Sequence, residues 1–193
     1  MKSDRRSFLG GLAALGLAGV AGLVLRRARK SPVALNRLRP PGAIPEGDFS
    51  SQCIRCGRCA EVCPYTSVKL LGLQAGTDAG TPLIEAEIIP CYLCMECVTV
   101  CPSGALRPIE LEETRMGLAV IDPETCVALL GTLLCRTCYN VCPLQDTAID
   151  LPAMEPRVIE EGCTGCGICV HACPVDGEDG RKAINITPAG FES

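Results

Sequence analysis

The apolar positions fall into one long run and a series of short ones. Phe8 to Leu25 is continuous, although five glycines and four alanines dilute it, and basic residues stand on both sides: Arg5-Arg6 before it, Arg26, Arg27, Arg29 and Lys30 after it. After residue 30 no stretch approaches membrane-spanning length, which excludes a polytopic membrane protein. The later apolar stretches have strand length: Val68–Leu71, Leu83–Ile89, Ala105–Ile109, Leu118–Ile121, Ala148–Leu151, Arg157–Ile159 and Ala183–Thr187. Between them lie cysteine-bearing loops, each followed by a short helical stretch or turn. Gln74–Gly80 and Val175–Lys182 are rich in Gly and Asp and read as exposed loops. The pattern predicts an α+β chain of short strands and helices.

Composition explains why the elements are short. The 193 residues include sixteen cysteines, one histidine and no tryptophan, and only 3% are aromatic. So few large side chains build a thin core, and such cores need covalent or metal staples. The chain is nonetheless too apolar and cysteine-rich for disorder. A single histidine argues against histidine-based acid–base catalysis, and the chain is read as a carrier with no catalytic residues.

Charge divides the chain. Residues 1–39 carry nine Lys/Arg and one Asp, or +8; residues 40–193 carry nine Lys/Arg and twenty-one Asp/Glu, or −12. The acidic part has no electrostatic basis for nucleic-acid binding. It reads as a solvated surface or as a docking face for a basic partner.

Residues 1–30, basic and then apolar, read as a secretory leader. Arg5-Arg6 before Phe8-Leu9 resembles a twin-arginine signal, which carries folded proteins through the twin-arginine translocase. No clear A-x-A cleavage site lies between Leu25 and Pro40. Eighteen helical residues span about 27 Å, close to the hydrocarbon thickness, so an uncleaved anchor is the other reading. Residues 31–48, with Arg39-Pro40-Pro41-Gly42-Ala43-Ile44-Pro45, read as a Pro-rich, stiff linker. Residues 49–193 form the working domain.

That domain contains an internal repeat. Cys53-x2-Cys56-x2-Cys59-x3-Cys63-Pro64 is followed by Cys91-x2-Cys94-x2-Cys97-x3-Cys101-Pro102 and later by Cys163-x2-Cys166-x2-Cys169-x3-Cys173-Pro174. The third motif, Cys126-x8-Cys135-x2-Cys138-x3-Cys142-Pro143, is widened. All sixteen cysteines are used. This is the bacterial ferredoxin signature repeated four times, and it predicts four [4Fe–4S] clusters in tandem ferredoxin-like modules. Three closely spaced cysteines wrap one cubane, and the fourth, one helical turn on, reaches another. Gly57, Gly165 and Gly167 suit positions of positive φ or close approach. Disulfides or zinc fit the repeated spacing poorly, whereas loading of fewer than four clusters stays open at the third motif. A core made largely of clusters predicts an unfolded or molten metal-free domain.

Four motifs permit several pairings. The chain resembles the four-cluster iron–sulfur subunits of molybdenum oxidoreductases, and that resemblance implies nested sets. These are Cys53, Cys56, Cys59 with Cys173; Cys63 with Cys163, Cys166, Cys169; Cys91, Cys94, Cys97 with Cys142; and Cys101 with Cys126, Cys135, Cys138. The alternative pairs the first motif with the second and the third with the fourth.

Several stretches go beyond a generic ferredoxin. The leader, Arg39-Pro40-Pro41-Gly42-Ala43, Cys53-Ile54-Arg55-Cys56-Gly57-Arg58-Cys59, Cys101-Pro102-Ser103-Gly104-Ala105-Leu106, Met116-Gly117-Leu118-Ala119-Val120 and Cys138-Tyr139-Asn140-Val141-Cys142-Pro143-Leu144 together resemble the NapG/MauM ferredoxin-type family. The resemblance implies a periplasmic electron carrier. In a nitrate-reductase setting it would take electrons from a membrane-bound, quinol-oxidising ferredoxin-type protein and pass them toward a periplasmic reductase or cytochrome. Two other roles fit the same motifs: a tightly bound subunit of a molybdenum oxidoreductase, and a maturation or electron-supply factor for an enzyme such as methylamine dehydrogenase. His171, Tyr65, Tyr92 and Tyr139 read as packing residues near cysteines. Arg55, Arg58 and Arg136 read as surface charge or as counter-charge to a cluster.

Overall fold

The computed structural model describes residues 36–178 and 180–189. The leader and residues 31–35 lie outside the described residues. Among those described, no helix is long and apolar enough to cross a membrane.

The first half is built on a three-stranded antiparallel sheet, with β1 (Arg37–Leu38) and β2 (Val68–Leu70) on either side of β3 (Pro82–Glu85). Leu38 and Val68 both register against Ile84, and all three are buried. The second half pairs β4 (Gly117–Ile121) with β7 (Ile184–Pro188), and β5 (Ile149–Asp150) with β6 (Arg157–Val158). In β7, Ile184, Ile186 and Pro188 point inward while Thr187 is exposed, the period-two alternation of a half-buried strand. One continuous core joins the halves, and Cys59, Cys91, Cys97, Cys163, Cys166 and Cys169 are part of it.

Most expected strands form within a residue or two of their predicted bounds. The stretch 83–89 is shorter, because the amides of Ile88 and Ile89 both turn back to the Glu85 carbonyl. The stretch 105–109 is reduced to a bridge between Leu106 and Ala43. Helical turns sit inside the motifs rather than after Cys-Pro: α2 (Arg58–Glu61), α3 (Glu96–Thr99), α4 (Thr137–Asn140) and α5 (Ile168–Ala172). They follow α1 (Glu46–Gln52). Proline lacks the N–H that would continue each turn. Helices this short have no stability of their own. They persist because each buries or half-buries a motif's third cysteine.

The Pro-rich stretch is not a linker. Leu38, Pro40 and Pro41 are fully buried, and the chain enters the core before residue 49. Proline brings no N–H that burial would leave unpaired, so it packs inside without penalty. Pro41-Gly42 form a tight turn closed by the Ala43 amide on the Pro40 carbonyl at 3.3 Å. Gly42 sits at φ 70°, and a Cβ there would fall 2.0 Å from the Arg107 carbonyl oxygen, so only glycine fits. Residues 42–44 then pair with residues 105–107 through the Arg107 and Ile44 amides.

Arg39 is the polar centre of this stretch. Its side chain is only 6% exposed. Nε and Nη2 donate to the two Glu46 carboxylate oxygens at 2.8 and 2.6 Å. Nη1 donates to Thr81 Oγ1 and to the Pro82 carbonyl, both at 2.8 Å. The guanidinium lies 4.6 Å from the Phe49 ring centroid. Removing one partner of such a pair strands the other charge, which costs about 3–5 kcal/mol. Arg39→Met is therefore expected to lower the denaturation midpoint of the loaded protein strongly, and Glu46→Gln comparably. A midpoint unchanged in Arg39→Met would show that the pair does not hold this segment to the core.

Candidate metal centres

Three of the four cysteine loops follow one backbone path. In each, the residue before the second cysteine and the residue after it are left-handed: Arg55 and Gly57 at φ 58° and 77°, Leu93 and Met95 at 58° and 62°, Gly165 and Gly167 at 70° and 82°. Alternating handedness turns successive N–H groups to one side, a concavity suited to an anion. The glycines at 57, 165 and 167 signal this in the sequence. Arg55, Leu93 and Met95 take the same conformation without such a signal, at a cost of about 1–3 kcal/mol each. A short helix then carries the third cysteine inward.

The widened third motif reaches a similar end differently. The amides of Thr132 and Leu133 both return to the Val127 carbonyl, at 3.1 and 3.2 Å, and close the insertion on itself. Cys126, Cys135 and Cys138 are thereby brought together. Burial pushes the Cys138 thiol up to about 11, with Cys126 and Cys135 adding to the effect.

The fourth cysteines cross between motifs. One hollow of ≈ 360 Å³, open solvent included, is lined by Cys53, Cys56, Cys59 and Cys101, with Phe49 and Leu106 as apolar wall. A second, of ≈ 350 Å³, is lined by Cys142, Cys163, Cys166 and Cys169, with Ile149 and Ile186 as wall. The match in size and lining marks the two as equivalent seats. Around Cys97, burial raises the thiol to about 12, and the sulfurs of Cys59, Cys94 and Cys63 contribute. The second motif's fourth cysteine thus lines the first motif's hollow, and the third motif's fourth cysteine lines that of the last. These two hollows depart from the nested grouping: Cys101, not Cys173, lies with Cys53, Cys56 and Cys59, and Cys142, not Cys63, lies with Cys163, Cys166 and Cys169. The physical reason is helix packing, since α2 packs on α3 and α4 on α5. Cys173 lines neither hollow; its Sγ stands 3.6 Å from the Val175 carbonyl oxygen.

The electrostatics suit a polycationic metal core bound through sulfur. None of the sixteen cysteines is joined in a disulfide. Burial pushes Cys91 up to about 12 and Cys59 up to about 11, neighbouring cysteines adding in both cases, and Cys169 rises well above the ordinary range. Packed thiols resist ionising together, and a bound metal core reverses that preference. At Cys63 burial acts upward, but the amides of Val68, Ser67 and Tyr65 outweigh it and hold the thiol below its ordinary value. At Cys101 burial is likewise outweighed, by the Leu106 amide and the Ser103 hydroxyl among others. Leu106 N lies 3.4 Å from Cys101 Sγ, and Leu93 N lies 3.5 Å from Cys91 Sγ. Among the described residues no His, Cys, Asp or Glu group converges closely enough to hold a single ion. A cubane instead needs thiols at its corners, with amide donors and apolar walls around them, and these residues fit it.

The neighbouring residues take structural roles. Tyr65 and Tyr92 pack on each other, with ring centroids 4.5 Å apart. Tyr139 donates its hydroxyl to Asp146 at 2.8 Å. Arg55 spends its guanidinium on the carbonyls of Ala79 and Thr77, each at 2.8 Å, and so ties down the loop over 73–80. His171 Nδ1 lies 2.9 Å from the Glu87 carbonyl oxygen. Asn36, which no motif signalled, is buried at φ 62° and hydrogen-bonds on both sides of the junction between the halves.

Two stretches match the description 4Fe-4S dicluster domain, residues 52–105 and 118–174. Their bounds enclose the first two and the last two motifs, the same division the hollows make. The chain is 44% identical over 210 residues to the ferredoxin-type protein NapG of Escherichia coli (strain K12), which covers 97% of this chain and 87% of that protein. It is 40% identical over 191 residues to the methylamine utilization ferredoxin-type protein MauM of Methylobacillus flagellatus, covering 92% of this chain and 78% of that one. Similarity to the ferredoxin-type protein NapF of Escherichia coli is lower, 28% over 158 residues. Resemblance over nearly the whole chain, together with two dicluster domains and sixteen cysteines, places it among electron-transfer proteins with [4Fe–4S] clusters: the chain belongs to the NapG/MauM family of ferredoxin-type proteins.

Proposed function

We propose that this chain is a periplasmic electron relay holding four [4Fe–4S] clusters, fed by a membrane-bound quinol-oxidising partner and discharging to a periplasmic reductase. The observation that carries the reading is the pair of matched hollows, each lined by three cysteines of one motif and the fourth of another. The ligand sets are Cys53, Cys56, Cys59 with Cys101; Cys91, Cys94, Cys97 with Cys63; Cys163, Cys166, Cys169 with Cys142; and Cys126, Cys135, Cys138 with Cys173. The last two sets share out the third and fourth motifs as the first two share the first and second. The leader over residues 1–30 supports export by the twin-arginine route with clusters already inserted, since oxidising compartments otherwise convert free thiols to disulfides.

When bound, the clusters supply one-electron transfer with little change in geometry. The chain's own contribution is to hold and tune them. The amides of Leu93 and Leu106 stabilise negative charge on sulfur and raise the local potential. Phe49, Leu106, Ile149 and Ile186 exclude water from the two hollows. The identity to methylamine-utilization relatives favours a second reading, electron supply to a different periplasmic enzyme. Deleting a relay leaves the target enzyme active with artificial electron donors, whereas deleting a supply factor needed for maturation leaves it inactive even with them.

Four outcomes are expected. In anaerobic membranes holding the chain and its genetic neighbours, added quinol bleaches the broad iron–sulfur absorbance; bleaching by dithionite alone would remove the quinol-fed relay. Cys101→Ser removes about one quarter of the iron and sulfide and changes the spectrum of the Cys53 set. Cys173→Ser leaves that set's spectrum intact; the reverse result would restore the nested grouping. Oxidative stripping of the clusters in the presence of chelator abolishes near-UV circular dichroism and increases binding of a hydrophobic dye, because six core residues are cysteines. A stripped protein that kept its near-UV signal would show that the apolar core stands without metal.

A further inference from the structure

The two halves of the chain meet along one seam. Cys91 N donates to the Cys166 carbonyl oxygen at 2.9 Å. Beside this contact, Gly167 faces Ala86 so closely that a Cβ would fall 2.3 Å from the alanine methyl. His171 meets the Glu87 carbonyl. Asn36 clasps the same seam: its amide donates to the Ile186 carbonyl at 3.1 Å, its side-chain oxygen accepts from the Ile186 amide at 2.6 Å, and its Nδ2 donates to Glu87 and to Asn185 at 2.6 and 2.9 Å. The seam therefore joins the loop of the second motif to the loop of the fourth.

We infer that electrons cross between the halves at the Cys91–Cys166 contact, so that the cysteine sets conduct in the order first, second, fourth, third motif rather than in chain order. This rests on the ligand sets proposed above. Tunnelling falls steeply with distance, and a hydrogen-bonded backbone path carries it better than a gap. At the crossing one electron leaves the set of Cys63, Cys91, Cys94 and Cys97, which is oxidised. The same electron arrives at the set of Cys142, Cys163, Cys166 and Cys169, which is reduced. No bond breaks and no proton moves.

Burial agrees with this order independently. Cys163, Cys166 and Cys169 are all buried, as are Cys91 and Cys97. Of the first set only Cys59 is buried, and of Cys126, Cys135, Cys138 and Cys173 none is. Three cysteines of the fourth-motif set are buried and two of the second, whose Cys94 is exposed, so the inner sets hold more buried sulfur than the two ends of the path. Gly167 keeps the crossing short, because any side chain there would wedge the halves apart.

The test uses the full chain, loaded anaerobically and assayed for iron and sulfide. A Cys→Ala change converts a chosen set to a [3Fe–4S] form, paramagnetic when oxidised, and two such tags report their separation by dipolar electron paramagnetic resonance. Tags made with Cys94→Ala and Cys163→Ala are expected to couple severalfold more strongly than tags made with Cys56→Ala and Cys135→Ala, since the coupling falls as the cube of distance. Stronger coupling in the second pair would overturn the order. Should the double variants lose their clusters, stepwise reduction of the unaltered protein gives the same comparison through the spectra of interacting spins. Gly167→Val is expected to weaken only the second-to-fourth coupling, and Asn36→Ala, which lies before the first cysteine motif in the sequence, to do the same more mildly. An unchanged coupling in both would overturn the crossing point. Fewer than four clusters in the unaltered protein would instead overturn the ligand sets, and the order with them.

Discussion

Buried sulfur is the constraint on which the rest of this structure depends. Six cysteines belong to the core of a chain with three phenylalanines and no tryptophan. As thiols they pack like small apolar side chains. As ligands they must ionise where burial and neighbouring sulfurs both oppose it, as at Cys91 and Cys97. Metal resolves the conflict by binding the thiolate form, so that folding and cofactor loading become one equilibrium. The same chemistry explains why the strands and helices can be so short. They have little to bury except the walls of the cluster seats.

The crossing of Cys101 and Cys142 into neighbouring motifs' hollows ties the four local loops into two pairs. Each loop is nearly self-sufficient: left-handed residues shape it, and one helical turn places its third cysteine. The fourth lies past that turn, and in Cys101 and Cys142 it faces another loop's hollow. That geometry couples neighbouring motifs as α2 packs on α3 and α4 on α5. The eight-residue gap of the third motif is compatible with the same scheme because it closes on itself at Val127 before the chain reaches Cys135.

The segment before the first motif has a larger structural part than its composition suggests. Pro40 and Pro41 are buried, and Arg39 brings its charge into the core with Glu46, Thr81 and Pro82 as partners. A stretch rich in proline reads as an extended spacer because proline lacks a donor and resists helix. The same missing donor lets it be buried. Only the location of its partners, more than forty residues away for Thr81 and Pro82, separates the two outcomes. Asn36 is a parallel case, for its partners Asn185 and Ile186 lie about 150 residues on.

What the sequence by itself determined is local. Spacing picked out all sixteen cysteines and grouped them in fours, though the helical turns expected after each Cys-Pro lie inside the motifs. Alternation located most strands, because which face a side chain takes depends on its immediate neighbours. Glycine marked three of the left-handed positions. Arg55, Leu93 and Met95 adopt that conformation with no such mark, because the surrounding loop imposes it. The tertiary structure alone decided which fourth cysteine serves which hollow, since nested and sequential pairings satisfy identical spacings. It also decided the burial of residues 38–41 and the meeting of Cys91 with Cys166. Those outcomes depend on how two halves pack across long stretches of chain, and no local pattern in the sequence records that packing.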